Sequence, residues 1–185
     1  MDRRVRRTRN RLVEAMVHCA GNGDWDAVSI QQICDAADVA RSTFYLHFQN
    51  KAELLDYAFA SLGEEMRNTP ASRSLDADGA LGVLPVLFSF MVEKDHGFLF
   101  SRRRPSVATL LIGWRLKAVI TEMIAEEIAE SDRFRATPLP VIDFIAAGVF
   151  AAIDSWYQRN EKPSINGIIA GLDGMILRLL VPANG

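Results

Sequence analysis

The stretch Val28–Leu55, VSIQQICDAADVARSTFYLHFQNKAELL, follows an arginine-loaded start, MDRRVRRTRNRL, and its reading decides the fold. Ser29 followed three residues on by Gln32 is a capping box, and Ile30, Ile33, Cys34 and Ala37 share one face of the short helix it opens. Asp38 stands at the turn that follows, because Asp tolerates a left-handed backbone better than most residues. From Asp38 to Phe48, the residues Val39, Phe44 and Phe48 share an inward face. Arg41 with Tyr45, and Ser42 with Leu46, are pairs four apart on the outer face. Asn50 and Glu53 repeat the capping box, and Leu54, Leu55, Ala58, Phe59 and Leu62 form a stripe pointing back at the preceding helices. Two short helices around a tight turn, with Arg, Ser, Thr, Tyr and His facing out from the second, predict a helix-turn-helix laid against DNA.

The chemistry of that outer row divides in two. Arg41 can hold O6 and N7 of guanine with two hydrogen bonds, Ser42 can serve either kind of base, and an exposed Leu46 suits a thymine methyl. Thr43, Tyr45 and His47 suit phosphate oxygens, which set register without reading sequence. Lys51 adds charge at a helix start, where phosphate is already favoured. Each has a plainer alternative: Tyr45 as a packed surface ring, His47 as a helix cap. Arg3, Arg4, Arg6 and Arg7 are either a solvated helix start or a source of sequence-independent affinity through phosphate or minor-groove contact.

The segment resembles the DNA-binding domain of the tetracycline-repressor-like (TetR) family of bacterial transcriptional regulators. The resemblance is carried by Arg7-Thr8-Arg9, Ser29-Ile30-Gln31-Gln32-Ile33, Ser42-Thr43-Phe44-Tyr45-Leu46-His47-Phe48, and then Lys51 and Leu54. It covers about the first sixty residues. It implies base contacts at Arg41, Ser42 and Leu46, and phosphate contacts at Thr43, Tyr45, His47 and Lys51. Two positions depart from the family pattern. Asp38 stands where Gly is usual, and Ala40 stands where a capping Ser or Thr opens the recognition helix, a loss of about 1 kcal/mol.

The net charge of the 185-residue chain is −2, which alone argues against a nucleic-acid binder. The distribution argues the other way. Residues 1–52 hold eight Arg or Lys and six Asp or Glu, with six arginines in the first eleven positions, whereas the remainder holds thirteen against seventeen. Cys19 and Cys34 fall on apolar helix positions without a CxxC or Cys/His cluster, so they are expected as buried thiols, with a redox sensor as the alternative. No Gly-rich phosphate loop, paired-His metal motif or nucleophile elbow is present, so no enzyme, cofactor or metal is expected. No secretory signal precedes the first helix, and the most apolar run, Leu139–Ile153, is too short for a bilayer and interrupted by Asp143. The expectation is a soluble, cytoplasmic protein with no membrane partner.

Helical periodicity continues to the end of the chain, predicting an all-α protein with a DNA-binding domain over residues 1–60 and a helical regulatory and dimerisation domain over 61–185. Helix 1 is predicted over about Val5–Ala20, with Leu12, Ala15, Met16 and Cys19 inward. Asn68–Gly79 reads as a loop, and helices follow at about Ala80–Lys94, Val107–Glu130, Val141–Arg159 and Ile165–Leu180. One helix-turn-helix reads one half-site, so a homodimer is expected on double-stranded operator DNA. The last two helices are its expected interface, through Ala147, Phe150, Ala151, Ile165, Ile169, Leu172 and Ile176. The resemblance also implies a small-molecule inducer held among the middle helices, for which Phe88, Met91, Phe98, Trp114 and Phe144 offer an apolar or aromatic pocket. Ser101–Pro105, with its three consecutive arginines, reads as a solvated turn, with an anion-binding rim or dimer contact as alternatives. The function expected is a repressor released by an inducer. The alternative is a DNA-binding regulator, architectural or protein-partnered, without a small-molecule ligand.

Overall fold

The computed structural model describes residues 3–21, 25–71, 73–93 and 107–182. Among them are nine α-helices and no strand: α1 Arg3–Gly21, α2 Ile30–Ala37, α3 Arg41–His47, α4 Lys51–Arg67, α5 Leu75–Asp78, α6 Val83–Glu93, α7 Val107–Glu130, α8 Leu139–Gln158 and α9 Ile165–Leu179. A single 3-10 turn, Trp25–Ala27, precedes α2. The described residues group into two compact units, 3–62 with 107–115, and 63–93 with 116–182. A single cut at residue 60 does not describe this, because the start of α7 returns to the first unit.

In the first unit, α1, α2 and α3 pack on one another around Leu12, Met16, Ile33, Cys34 and Phe44, with Phe48, Leu54, Leu55 and Phe59 closing the core. α1 starts two residues earlier than expected. Nothing in Arg3-Arg4-Val5 opposes it, since Arg is a good helix former. Arg3, Arg4, Arg6 and Arg7 therefore sit on the first two turns of a helix, all exposed, with Arg3 and Arg7 opposite Leu12 and Met16 and Arg4 and Arg6 on the flanks. Cys34 is fully buried and Cys19 half-buried. Burial raises the Cys34 thiol above its ordinary value, with Asp35 adding to the effect, so this sulfur is held as the unreactive thiol.

In the second unit, α9 packs against α8 and α6. The expected loop 68–79 contains a four-residue helix, α5, which buries Leu75 and ends at Gly79 with φ 64°. Asp76 tethers this turn: its carboxylate accepts hydrogen bonds from the Ser131 hydroxyl and from the amides of Asp132 (2.9 Å) and Arg133 (3.4 Å). α8 opens at Pro138 with Pro140 in its first turn, the position where proline lacks no needed N–H. It runs to Gln158, beyond the apolar run seen in the sequence. At 20 residues it is the one described helix whose length and apolarity would let it cross a bilayer. Six of its residues, from Ile142 to Trp156, are nevertheless packed inside the unit.

Candidate nucleic-acid interface

The turn between α2 and α3 forms as its residues dictate. Ser29 and Gln32 make the reciprocal box, with Gln32 N–H donating to Ser29 Oγ (3.2 Å) and Ser29 N–H donating to Gln32 Oε1 (2.8 Å). Asp38 adopts φ 51°, ψ 54°, the one positive φ at a non-glycine among the described residues, and the chain turns there. Arg11, from α1, donates to the carbonyls of Ala37 and Asp38, so a cation covers the exposed C-terminal carbonyls of α2.

Ala40 starts α3 with extended backbone and no side-chain cap. The Thr43 amide already donates to the Ala40 carbonyl (2.9 Å), so Ala40→Ser should supply an acceptor chiefly for the Ser42 amide and stabilise the unit by about 1 kcal/mol. Urea unfolding would register this as a higher midpoint. An unchanged or lower midpoint would mean the helix start is already satisfied.

α3 is held by Phe44, which is 0% exposed and packs against Tyr45 edge-on (5.5 Å between ring centres) and Phe48 (5.9 Å). Anchoring one face turns the other outward. Arg41, Ser42, Tyr45 and Leu46 are exposed, Leu46 at 82%, while Thr43 and His47 are half-buried at its flanks. The Arg41 guanidinium donates to the Tyr45 hydroxyl (3.2 Å) and lies 5.7 Å from its ring centre. That hydrogen bond holds Arg41 charged even more firmly than usual. An exposed leucine beside a pre-aimed guanidinium gains nothing in a lone domain; it gains when a base edge covers it.

Three basic residues turn out differently from the rest. The Lys51 ammonium donates to the carbonyls of Trp25 (3.0 Å) and Val28 and sits over the Trp25 ring at 4.8 Å, so it braces the 3-10 turn against α4. Arg9 lies between the rings of Phe48 (5.3 Å) and Tyr57 (5.1 Å), tying α1 to the end of α3 and to α4. Arg11 is the helix cap already described. Sequence reasoning misses the structural roles of Arg9 and Arg11. For Arg9 the signal is its helical phase, one heptad before buried Met16. At the start of α4, Asn50 accepts from Glu53 N–H (3.0 Å), and the Glu53 carboxylate accepts from Gln49 N–H (2.6 Å), one residue earlier than a strict capping box.

The residues expected around an inducer are not brought together. Phe88 is core at 1% exposure, whereas Trp114 and Phe144 are 76% and 67% exposed, and none of the three lines the cleft that the second unit contains. Single aromatics in amphipathic helices leave the facing side unassigned, and tertiary packing turned these two outward. The Met91 side chain, Phe98 and Ser101–Pro105 lie outside the described residues.

The expected interface residues also divide. Ile169, Leu172 and Ile176 are buried against their own chain, while Ala147, Phe150 and Ile165 are half-buried and Ala151 is exposed. The exposed side of α9 is instead Gly167, Ala170, Gly171, Gly174 and Met175, at helical spacing. α8 carries a like stripe of Phe144, Gly148 and Ala151. A methyl group placed on Gly148, Gly171 or Gly174 would meet nothing within 4 Å. The bulky stripe of α9 fills the core and the small one faces out.

Residues 3–62 thus form a helix-turn-helix domain of the kind that presents its second short helix to DNA. Residues 12–58 match the family model of bacterial regulatory proteins of the tetR family. A curated relative, the HTH-type transcriptional repressor KstR of Mycobacterium tuberculosis, is 33% identical over 90 residues, which are 48% of this chain and 39% of that protein. The chain is therefore aligned with well under half of that relative's length. The crystal structure of a TetR transcriptional regulator from Streptococcus agalactiae has a similar fold over 95% of this chain and 96% of its own (TM-score 0.67, 17% identity). So does that of a tetR-family transcriptional regulator from Streptomyces coelicolor, over 94% and 80% (TM-score 0.63, 19% identity).

Proposed function

We propose that this protein is a dimeric, sequence-specific DNA-binding transcriptional regulator that represses and is released by a small molecule. The observation that carries the reading is the outer face of α3, where Arg41, Ser42, Tyr45 and Leu46 stand exposed over a fully buried Phe44. In this reading Arg41, Ser42 and Leu46 touch bases, and Thr43, Tyr45 and His47 touch phosphates. Arg3, Arg4, Arg6 and Arg7 add sequence-independent attraction along the backbone. Because they lie on helical turns and not on an extended arm, phosphate contact suits them better than insertion into the minor groove. Lys51 joins them only by giving up its hold on the Trp25 and Val28 carbonyls. Repression is favoured by the likeness to the Mycobacterium tuberculosis repressor. Two copies would meet through the small-residue faces of α8 and α9, placing two α3 helices on half-sites about one helical turn apart or a multiple of that.

Genomic fragments selected by the purified protein, then footprinted, supply the operator. On it, Arg41→Ala should weaken binding about ten- to a hundredfold and relax preference at one base position. Arg4→Ala should weaken binding to every sequence alike and lower the salt slope of log K by about 1. Equal weakening across all sequences by both variants would remove Arg41 from the base readers and leave the α3 reading without its main support.

A further inference from the structure

The second unit contains a cleft of about 490 Å3, a size that small organic ligands fill. Its floor is made by the buried side chains of Met66, Val83, Val86 and Met123. Its rim carries Arg67, Arg73, Asp76, Glu126, Glu127 and Glu130. The two arginines are already matched. Arg67 donates to Glu126 (2.7 Å) and Glu122 (3.0 Å), and Arg73 pairs with Asp173 of α9, which does not line the cleft.

Of the three other carboxylates, Asp76 is held by one hydroxyl and two amides, which together with the nearby Arg133 charge keep its carboxyl below the usual range, so it is already balanced. The Glu127 oxygens accept from the Gly82 (2.7 Å) and Val83 (2.9 Å) amides at the start of α6. Among the described residues no cation pairs with Glu130, which lies one turn from Glu127 on the same side of α7. Glu127 feels the imbalance: burial, and then the nearby charges of Asp173 and Glu130, hold its carboxyl above the usual carboxylate range in spite of its two amide donors. An apolar floor beneath an excess of negative charge selects a ligand of opposite charge with an apolar body.

We propose that this cleft binds an organic cation, an ammonium or guanidinium group on an apolar body, with the body on Met66, Val86 and Met123 and the charge against Glu127 and Glu130. As the site of the releasing molecule it rests on the regulatory reading above; as a binding site it stands without it. It also replaces the purely apolar pocket expected from the scattered aromatics. Arg73, on the rim, joins the cleft directly to α9 through Asp173, so occupancy is felt on the helix that carries the small-residue face.

The test uses the full chain labelled at its methionine methyls, titrated with 4-phenylbutylamine, 4-phenylbutanol and 4-phenylbutyrate, which share a body and differ in charge. The amine should shift the Met66 and Met123 signals and leave that of Met16, in the first unit's core, in place. It should bind about tenfold tighter than the alcohol, and the carboxylate should not bind. Glu130→Gln, at an exposed position, should weaken the amine several-fold and leave the alcohol unchanged. Equal binding of all three probes, or an amine that moves neither methyl, overturns the proposal. Operator DNA in the same tube separates the two readings. An amine that enters the cleft without releasing DNA supports the site and refutes release. An amine that fails to enter while DNA stays bound refutes the site and leaves the DNA reading intact.

Discussion

Phe44→Ala should unfold the helix-turn-helix and abolish DNA binding while the second unit stays folded. The ring is 0% exposed and touches Tyr45 and Phe48, and Phe48 in turn stacks on Tyr57 (5.5 Å) and Arg9. Truncating a buried phenylalanine costs about 3–5 kcal/mol, comparable to the whole stability of a small domain. The cost falls where it hurts most, because α3 has seven residues, no side-chain cap and a left-handed Asp38 before it. Hydrogen exchange should show α1 to α3 losing protection and α8 and α9 keeping theirs. Phe44→Leu, which refills most of the space, should lose less. Persisting protection in α3 of the alanine variant would mean that some other contact anchors the helix.

If the proposed dimer forms through the small-residue face of α9, Gly171→Arg should convert it into monomers that fold normally. A side chain at this position meets nothing within 4 Å in the single chain, and replacing glycine inside a helix favours the helix by about 1 kcal/mol. In a two-fold interface the same residue would face its own copy, placing two unpaired guanidinium groups in a close-packed, small-residue contact. Light scattering should report half the unchanged protein's mass. Affinity for a two-half-site operator should fall by about 10²–10⁴, the advantage of joining two binding modules. A thermal midpoint at low concentration equal to or above that of the unchanged protein would separate this outcome from misfolding. Unaltered mass and operator affinity would take the α9 face out of the interface.

The local devices of the first unit were legible because they are local. A Ser and a Gln three apart at a helix start favour closing a box on each other, and an Asp after a short apolar helix tolerates the left-handed turn. The amphipathic stripes of α2 and α4 and the span of α7 followed from their 3.6-residue period alone. Periodicity failed where a helix has two apolar faces. α9 alternates Ile, Leu and Ile with Gly, Ala and Gly, and both stripes are consistent with burial. The larger stripe gained more by filling the core of its own chain, which left the small one outside. The same limit misassigned Trp114 and Phe144. It also hid the cleft, whose walls come from segments as far apart as Met66 and Ser131.

By itself the sequence determined the all-α class, the helix-turn-helix and the identity of the side chains on its outer row, since capping, helical phase and turn chemistry act over a few residues. Only the tertiary structure decided which charges are spoken for. Of the basic residues near the outer row of α3, Arg9, Arg11 and Lys51 are engaged within the fold, through rings and carbonyls supplied by residues 23 or more positions away. In the second unit the cleft arginines are matched, and among the described residues no cation pairs with Glu127 or Glu130. Charge balance is a property of neighbours in space, and no window along the chain contains it.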